Sequence, residues 1–547
     1  MNKTLLISIM LLIYSGISAQ GSNRGWHHLD LSKDSIPGIS SNRAYEELLK
    51  GRKKVPVIVA VIDGGVDYEH EDLKDVMWHN PGEIPGDSID NDKNGYVDDV
   101  YGWNFIGGKD GKNVNWDNLE VARLYKVLHY KYKDADPKKL NKKQKKEYKL
   151  YLKVKEDMDK NIKKIKNRLE KYEKRKASVM EALDKVGMAL KAKGLSIDQL
   201  DSLDANDPEL QAGIKYIKRV SDLIPEMKSI DEVKEFYESQ FKGAIEHFSN
   251  QLNYHYNPDP KPDPRAIVGD DYNNPKERYY GNNDVKGPDA AHGTHVAGII
   301  AAVRNNGIGM NGIADSVLIM AIRVVPNGDE RDKDVANGIR YAVDNGAQII
   351  NMSFGKNYKW DKKTVDDAVN YADKKGVLMI HAAGNSAENN DEVIHYPSDT
   401  YEKMKWFFKR HANNWLEVGA SSYQNDSNFV ARFSNYGKKN VDVFAPGVAI
   451  YSTTPGNTYA SFNGTSMATP VVSGVAAVLK SYFPKLSAKE IKKIIMESSV
   501  KKNFKVKKPG SKDEKVDFSD LSVSGGEVNL YNAIKMALEK YPDKAAK

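Results

Sequence analysis

Cysteine is absent from all 547 residues, which excludes a disulfide scaffold, a thiolate zinc site, a cysteine nucleophile and a lipid-modified cysteine. Whatever chemistry occurs runs on oxygen and nitrogen groups. Glycine (41) and proline (21) are too few and too scattered for a fibrous or wholly disordered chain. Long apolar runs are also missing: after residue 19 no stretch approaches the roughly 18 uninterrupted apolar residues of a membrane helix. What is present is 40% hydrophobic and 29% charged residues, enough for a sizeable core divided among two or more domains. The net charge is +7, but it is unevenly spread. Residues 131–180 hold 20 basic and 8 acidic side chains, a net of +12, so the remainder is acidic at −5. An anionic partner is therefore a question about that segment alone, and no nucleic-acid motif accompanies it. Nucleic acid is not an expected partner.

Residues 1–19 have the form of a signal peptide. Lys3 supplies the positive start, Leu5 to Tyr14 the apolar run, and Ile17-Ser18-Ala19 a small-ended exit before Gln20. Export is expected, with no transmembrane segment in the mature chain. Further on, short apolar runs recur at Val55–Ile62, Val317–Val325, Ala347–Met352, Val377–Ile380 and Val441–Phe444, and buried parallel strands read this way. Between them, Val335–Asp344, Lys363–Lys375 and Thr465–Tyr482 have helical spacing. The alternation predicts an α/β fold with a doubly wound, mostly parallel sheet. In such sheets functional groups gather at the carboxyl ends of the strands.

Residues 116–261 break the pattern. Met158, Ile162, Ile165, Leu169, Tyr172, Lys176, Val179, Leu183, Val186 and Leu190 step alternately by four and three, a heptad seam over more than four heptads. Gly194 is expected to end that helix, Asp207-Pro208 to begin another, and Ser229-Ile230-Asp231-Glu232 to form the capping box of a third. The prediction is a coiled-coil-like insertion, a helical hairpin or small bundle, which could mediate self-association. The expected division is 1–19 signal peptide, 20–54 N-terminal extension, 55–115 and 262–547 the two parts of the main domain.

Three constellations outside the insertion each place a polar side chain at a strand end or a helix start. They are Val59-Ala60-Val61-Ile62-Asp63-Gly64-Gly65-Val66-Asp67, Ala291-His292-Gly293-Thr294-His295-Val296-Ala297-Gly298, and Asn463-Gly464-Thr465-Ser466-Met467-Ala468-Thr469-Pro470. A hydroxyl, an imidazole and a carboxylate are the parts of an activated serine nucleophile. Ser466 would attack, His292 would take and return the proton, and Asp63 would orient the imidazole and stabilise its cation. Ala382-Ala383-Gly384-Asn385, after the strand at 377–380, offers the Asn385 amide as a donor to a developing oxyanion. His292 and His295 lie three apart, but no acidic ligand has the spacing of a zinc-protease helix. His295 is expected to be a packed residue.

These blocks resemble the subtilisin family of serine endopeptidases (subtilases): VIDGGVD, HGTHVAG, AAGN and NGTSMATP, in the order Asp, His, Asn, Ser. The resemblance covers about residues 40–115 and 262–540 and includes Phe433-Ser434-Asn435 and Phe444-Ala445-Pro446-Gly447. It implies protein or peptide substrates, no cofactor for catalysis, and a substrate channel lined by Ser353, Phe354, Gly355, Ala383 and Gly384. Three features depart from the family pattern. Residue 64 is Gly rather than Ser or Thr, only residues 20–54 are left for a prosegment, and 228 residues separate Asp63 from His292. A non-catalytic binding or scaffold protein on the same fold is the alternative reading, motivated by the first and third of these.

The stretch 90–99 places oxygen side chains at alternate positions around Gly95, as hard-cation loops require. Position 12 of the EF-hand register is Tyr101 rather than Glu, so an EF-hand is rejected. The expectation is a structural calcium loop using Asp90, Asp92, Asn94 and Asp98 or Asp99, or else a polar turn without metal. Asp72 matches, more loosely, a calcium-binding position of some relatives.

Overall fold

The computed structural model describes residues 24–203, 206–402 and 411–546. The expected signal peptide at 1–19 lies outside the described residues. The described chain divides into two compact units, residues 121–260 and residues 24–120 with 261–546.

The larger unit contains strands β1 (Val57–Asp63), β2 (Gly102–Asn104), β3 (Val317–Arg323), β4 (Ile349–Met352), β5 (Leu378–Ala382), β6 (Trp415–Ser421), β7 (Val443–Pro446), β8 (Ile450–Thr454), β9 (Thr458–Phe462), β10 (Val500–Lys501), β11 (Lys505–Lys507), β12 (Lys515–Asp517) and β13 (Gly526–Glu527). Nine of them make one sheet in the order β10-β13-β7-β6-β5-β4-β1-β3-β2. Every pairing in it is parallel except β10 with β13. From β1 the chain runs out to the edge strand β2, returns to β3 beside β1 and then crosses to β4 on the other side of β1, so β1 is the point where the winding direction reverses. Such switch points leave a crevice at the carboxyl ends of the strands. Asp63 is the last residue of β1, level with Arg323 of β3.

The expected strands and helices are present with small shifts of boundary, and the fold is the doubly wound α/β sheet. Strand alternation explains its two cores. Val57, Val59 and Val61 point to one face with Val471, Val475 and Val478 of the helix Thr465–Tyr482. Ala60 and Ile62 point to the other, with Val335 and Ile339 of Asp332–Asp344 and Val365 and Val369 of Lys362–Lys375. The sequence reading missed β6, whose apolar residues are interrupted by Glu417 and Gly419, and the hairpin β8–β9. Residues 20–54, expected as an N-terminal extension, pack on this unit where they are described. In the structure Trp26, Ile39, Ala44 and Leu49 are part of the main core, and Trp26 Nε1 donates to Val448 O at 3.0 Å.

The smaller unit is helical. The helix Lys142–Lys193 opens with an Asn141–Gln144 capping box and ends at Gly194, whose N–H returns to Leu190 O and Lys191 O. Pro208–Leu223 follows an Asp207 cap, and Ile230–Asn250 follows the Ser229–Glu232 capping box. The carboxyl half of the seam, Val179, Leu183, Val186 and Leu190, is buried against Ile217, Val220, Val233 and Phe236. Its other positions lie along the same stripe, with Met158 and Ile165 buried and Lys176 half-buried. Leu183 is 0% exposed, so Leu183→Ala should destabilise this unit by about 2–5 kcal/mol. Loss of helical circular dichroism at lower denaturant, in a separate transition, is the expected readout.

Candidate active site

Asp63 is buried beneath His292. Its carboxylate accepts from His292 Nδ1 at 2.8 Å (Oδ1) and 3.0 Å (Oδ2). His292 is the second residue of the helix Ala291–Ala301, and the approach that brings it to Asp63 depends on its neighbour having no side chain. A Cβ on Gly293 would stand 2.2 Å from Gly65 O. Burial opposes the charged imidazole, but the charge of Asp63 and its hydrogen bond outweigh it and hold the His292 pKa above the ordinary value. Backbone groups at position 64 help to hold this carboxylate and the turn after it. Gly64 N–H donates to Asp63 Oδ1 at 2.7 Å, and the buried Arg323 donates from Nε to Gly64 O at 2.8 Å.

Ser466 stands at the start of the helix Thr465–Tyr482, which packs on the same face of the sheet as the His292 helix. Its Oγ donates to Ser353 O at 3.1 Å, and Ser353 Oγ donates back to Ser466 O at 2.9 Å. The second bond has a cause in the sequence. Pro470, four residues after Ser466, has no N–H to donate to the Ser466 carbonyl, and a helix carbonyl left in that position needs another donor. Ser353 supplies it. Asn351 Nδ2 in turn donates to Ser353 Oγ at 3.0 Å, and Ser473 Oγ donates to Asn351 Oδ1 at 2.8 Å. Strand β4 and the helix bearing Ser466 are thereby registered by polar groups.

Asn385 is exposed, with its amide orientation fixed. Thr465 N and Thr465 Oγ1 both donate to Asn385 Oδ1, at 2.9 and 3.0 Å. The Nδ2 group is thus turned toward the open side near Ser466. Gly384 N donates to Thr465 Oγ1 at 3.2 Å. The loop itself hangs on Asn435, which accepts from Ser386 N and Glu388 N at Oδ1 and donates from Nδ2 to Ala383 O. Ala383 and Gly384 therefore spend backbone groups on this scaffold. Phe354 lines the cleft, and Gly355 is exposed at its edge. That cleft, of about 250 Å³, is bounded by Asp63, His292, Asn327, Ser353 and Phe354 among others. Thr465 was missed as a positioning group, although it sits inside the motif that marked Ser466. Asn435 was marked only as part of a matching string.

His295 is 0% exposed and stacks on Phe462 at 4.2 Å, and burial pushes its pKa down to about 3. Its Nε2 hydrogen-bonds to Ala460 O. It is a packed residue of the helix.

In the acidic loop, Glu83, Asp90 and Asp92 bring carboxylate oxygens within 4.8 Å of one another. Glu83, seven residues earlier, carries no motif that would have marked it. The other expected ligands face elsewhere. Asp98 accepts from Gly86 N and Ser88 N. Asp99 is buried on Tyr341, Asn80 and Asn94, and burial pushes its pKa up to about 6. Asn94 turns its NH₂ toward Asp92 and Asp99. Asp72 is 0% exposed and accepts from Asn306 Nδ2 at 2.7 Å and Met310 N at 3.3 Å.

The subtilase family model matches residues 55–520. The chain belongs to the subtilase family. Among its relatives, alkaline elastase YaB of Bacillus sp. (strain YaB) is 42% identical over 202 residues, 37% of this chain and 48% of that protein. Subtilisin Savinase of Lederbergia lenta is 42% identical over 202 residues, 37% of this chain and 67% of its own. Thermitase of Thermoactinomyces vulgaris is 45% identical over 191 residues, 35% of this chain and 61% of its own. The chain spans about half the length of the first of these. Among the described residues no helix is long and apolar enough to cross a membrane.

The Asp63 contact sets a pH prediction for this subtilase. Because Asp63 favours the imidazolium, Asp63→Asn should lower the His292 pKa, read by NMR titration of the ring. In the wild type the stability that the His292–Asp63 pair contributes is full below the ordinary imidazole pKa. It is lost as pH rises through the raised value.

Proposed function

We propose that the protein is an exported serine endopeptidase that hydrolyses peptide bonds through an acyl-enzyme on Ser466. The observation that carries this reading is the short double contact of His292 Nδ1 with buried Asp63. It fixes the tautomer so that Nε2 is the free, basic nitrogen. In the reaction the Ser466 hydroxyl turns from Ser353 O to His292 Nε2, which takes its proton as Oγ bonds to the substrate carbonyl carbon. The carbonyl oxygen, now negative, is received by Asn385 Nδ2 and by the N–H groups at the start of the Ser466 helix. His292 then returns the proton to the leaving amine as the C–N bond breaks. Water repeats the sequence and frees Ser466.

Ser466→Ala should abolish both hydrolysis of a short chromogenic peptide and labelling by a fluorophosphonate. Asn385→Leu should keep labelling but lower turnover by about 10²–10³-fold, the worth of one such donor. Unchanged hydrolysis by the Ser466 variant would overturn the assignment, whereas a wild type that neither hydrolyses the peptide nor takes the label would favour the scaffold reading. Export rests on the form of residues 1–19.

Structural calcium is supported by the convergence of Glu83, Asp90 and Asp92, an all-oxygen donor set suited to a hard cation. A bound ion would stabilise the fold by mass action, about 2.7 kcal/mol at a hundred times Kd. The melting temperature should therefore fall in EDTA and recover with calcium. An unchanged melting temperature, with no calcium by elemental analysis, would remove the ion from the account.

A further inference from the structure

The cleft beside His292 has two walls, Val325–Asn327 and Ser353–Phe354. Residues 115–120, the approach to the helical unit, are laced to the first wall and then cross to the second. Asn327 N donates to Asn115 O at 2.8 Å, and Asp117 N to Asn327 O at 3.1 Å. Arg331 grips the Asp117 carboxylate with two bonds, at 2.8 and 3.0 Å. Gly328 makes room, since a Cβ there would stand 2.3 Å from Asp117 O.

Glu120 makes the crossing. Its N–H donates to Asp329 Oδ2 at 2.8 Å, two residues along the first wall. Its carboxylate accepts from Lys356 Nζ at 2.8 Å, and Lys356 directly follows Gly355 on the second wall. Lys356 also pairs with Asp332 at 2.7 Å and donates to Glu330 O at 2.8 Å. The side chains of Lys356, Glu120 and Asp332 are 1%, 0% and 6% exposed. Charges this deeply buried persist only when paired and hydrogen-bonded, and losing one partner strands the others. The tie between the walls is therefore stiff.

A peptide added along Ser353–Gly355 as a strand begins at Ser353, which touches Ser466, and reaches the tie at Lys356. At about 3.3 Å per residue, that leaves space for about three substrate residues. The half of the substrate concerned is the acyl half, because the leaving amine must lie against His292.

Taking the serine peptidase reading as given, the geometry points to Glu120 as a specificity-determining residue that closes the acyl side of the cleft. Recognition on the acyl side then counts about three residues, and residues beyond the third add nothing to it. This role belongs to the entry of the inserted segment, which the peptidase chemistry itself does not require.

The test is a series of peptidyl anilides of increasing acyl length, read as kcat/KM on the full-length protein. In the wild type kcat/KM should rise to about the third residue and then level off. Relative to its own rate on the shortest substrates, Glu120→Ala should gain about tenfold more than the wild type at the next residue, the worth of one or two backbone hydrogen bonds. Glu120→Gln, which keeps the side-chain length and an acceptor, should keep the plateau. A wild-type kcat/KM that goes on rising through the fourth and fifth residues would overturn the proposal, and this result needs no variant to fold. Absence of hydrolysis for even the shortest substrates would count against the peptidase reading instead.

Discussion

The bond between His292 Nδ1 and Asp63 is the contact around which the site is arranged. It joins the end of the central strand to the start of a helix 229 residues later in the chain. It forms only because several independent features agree. β1 is the switch point of the sheet, so its carboxyl end opens into a crevice rather than a helix. Gly293 has no side chain to hold the two backbones apart, and Arg323, paired with Asp63 in register, clamps the turn that follows. A buried carboxylate without a partner would be costly. With His292 and Gly64 N–H as partners, the same carboxylate orients the ring and favours its cation.

Ser466, the proposed nucleophile, is held by a second, separate device. A proline in the first turns of a helix removes a backbone donor, and Ser353 replaces it while receiving the Ser466 hydroxyl. This reciprocal pair joins the end of β4 to the start of the Ser466 helix, so a shift of either would move the other. Thr465 does the same for Asn385, fixing the amide with its oxygen inward and its NH₂ outward. Preorganised donors of this kind need no reorganisation at the moment charge develops.

Much of this was legible in the sequence because it lives in short, contiguous strings. Asp63, His292, Asn385 and Ser466 each sit at a junction between apolar strand or helix pattern and small residues. The sheet followed from β-branched runs separated by helical spacing. The helical unit was legible for a different reason: a heptad seam and three capping signals are local properties, and each appears at its residue. Long-range pairings were not legible. Nothing local marks Glu83 as a neighbour of Asp90, Arg323 as the clamp on Gly64, or Glu120 as a bridge between Asp329 and Lys356. Polarity at buried positions also misled the strand reading, since Glu417 interrupts β6 while hydrogen-bonding His381 and Trp415 inside the fold.

The inserted segment changes how the site can be reached without altering its chemistry. The proposed catalytic groups come from β1, two helix starts and the loop after β5, whereas residues 115–120 act on the cleft walls through buried ion pairs. The proposed chemistry requires a covalent intermediate at Ser466, and the most direct measurement is rapid mixing of the protein with an activated ester, followed by mass analysis of the quenched sample. The expected result is a product burst equal in amount to the protein and the mass of the acyl group on the peptide that contains Ser466. Steady release with no burst and no acylated peptide, or an acyl group found on another residue, would contradict it.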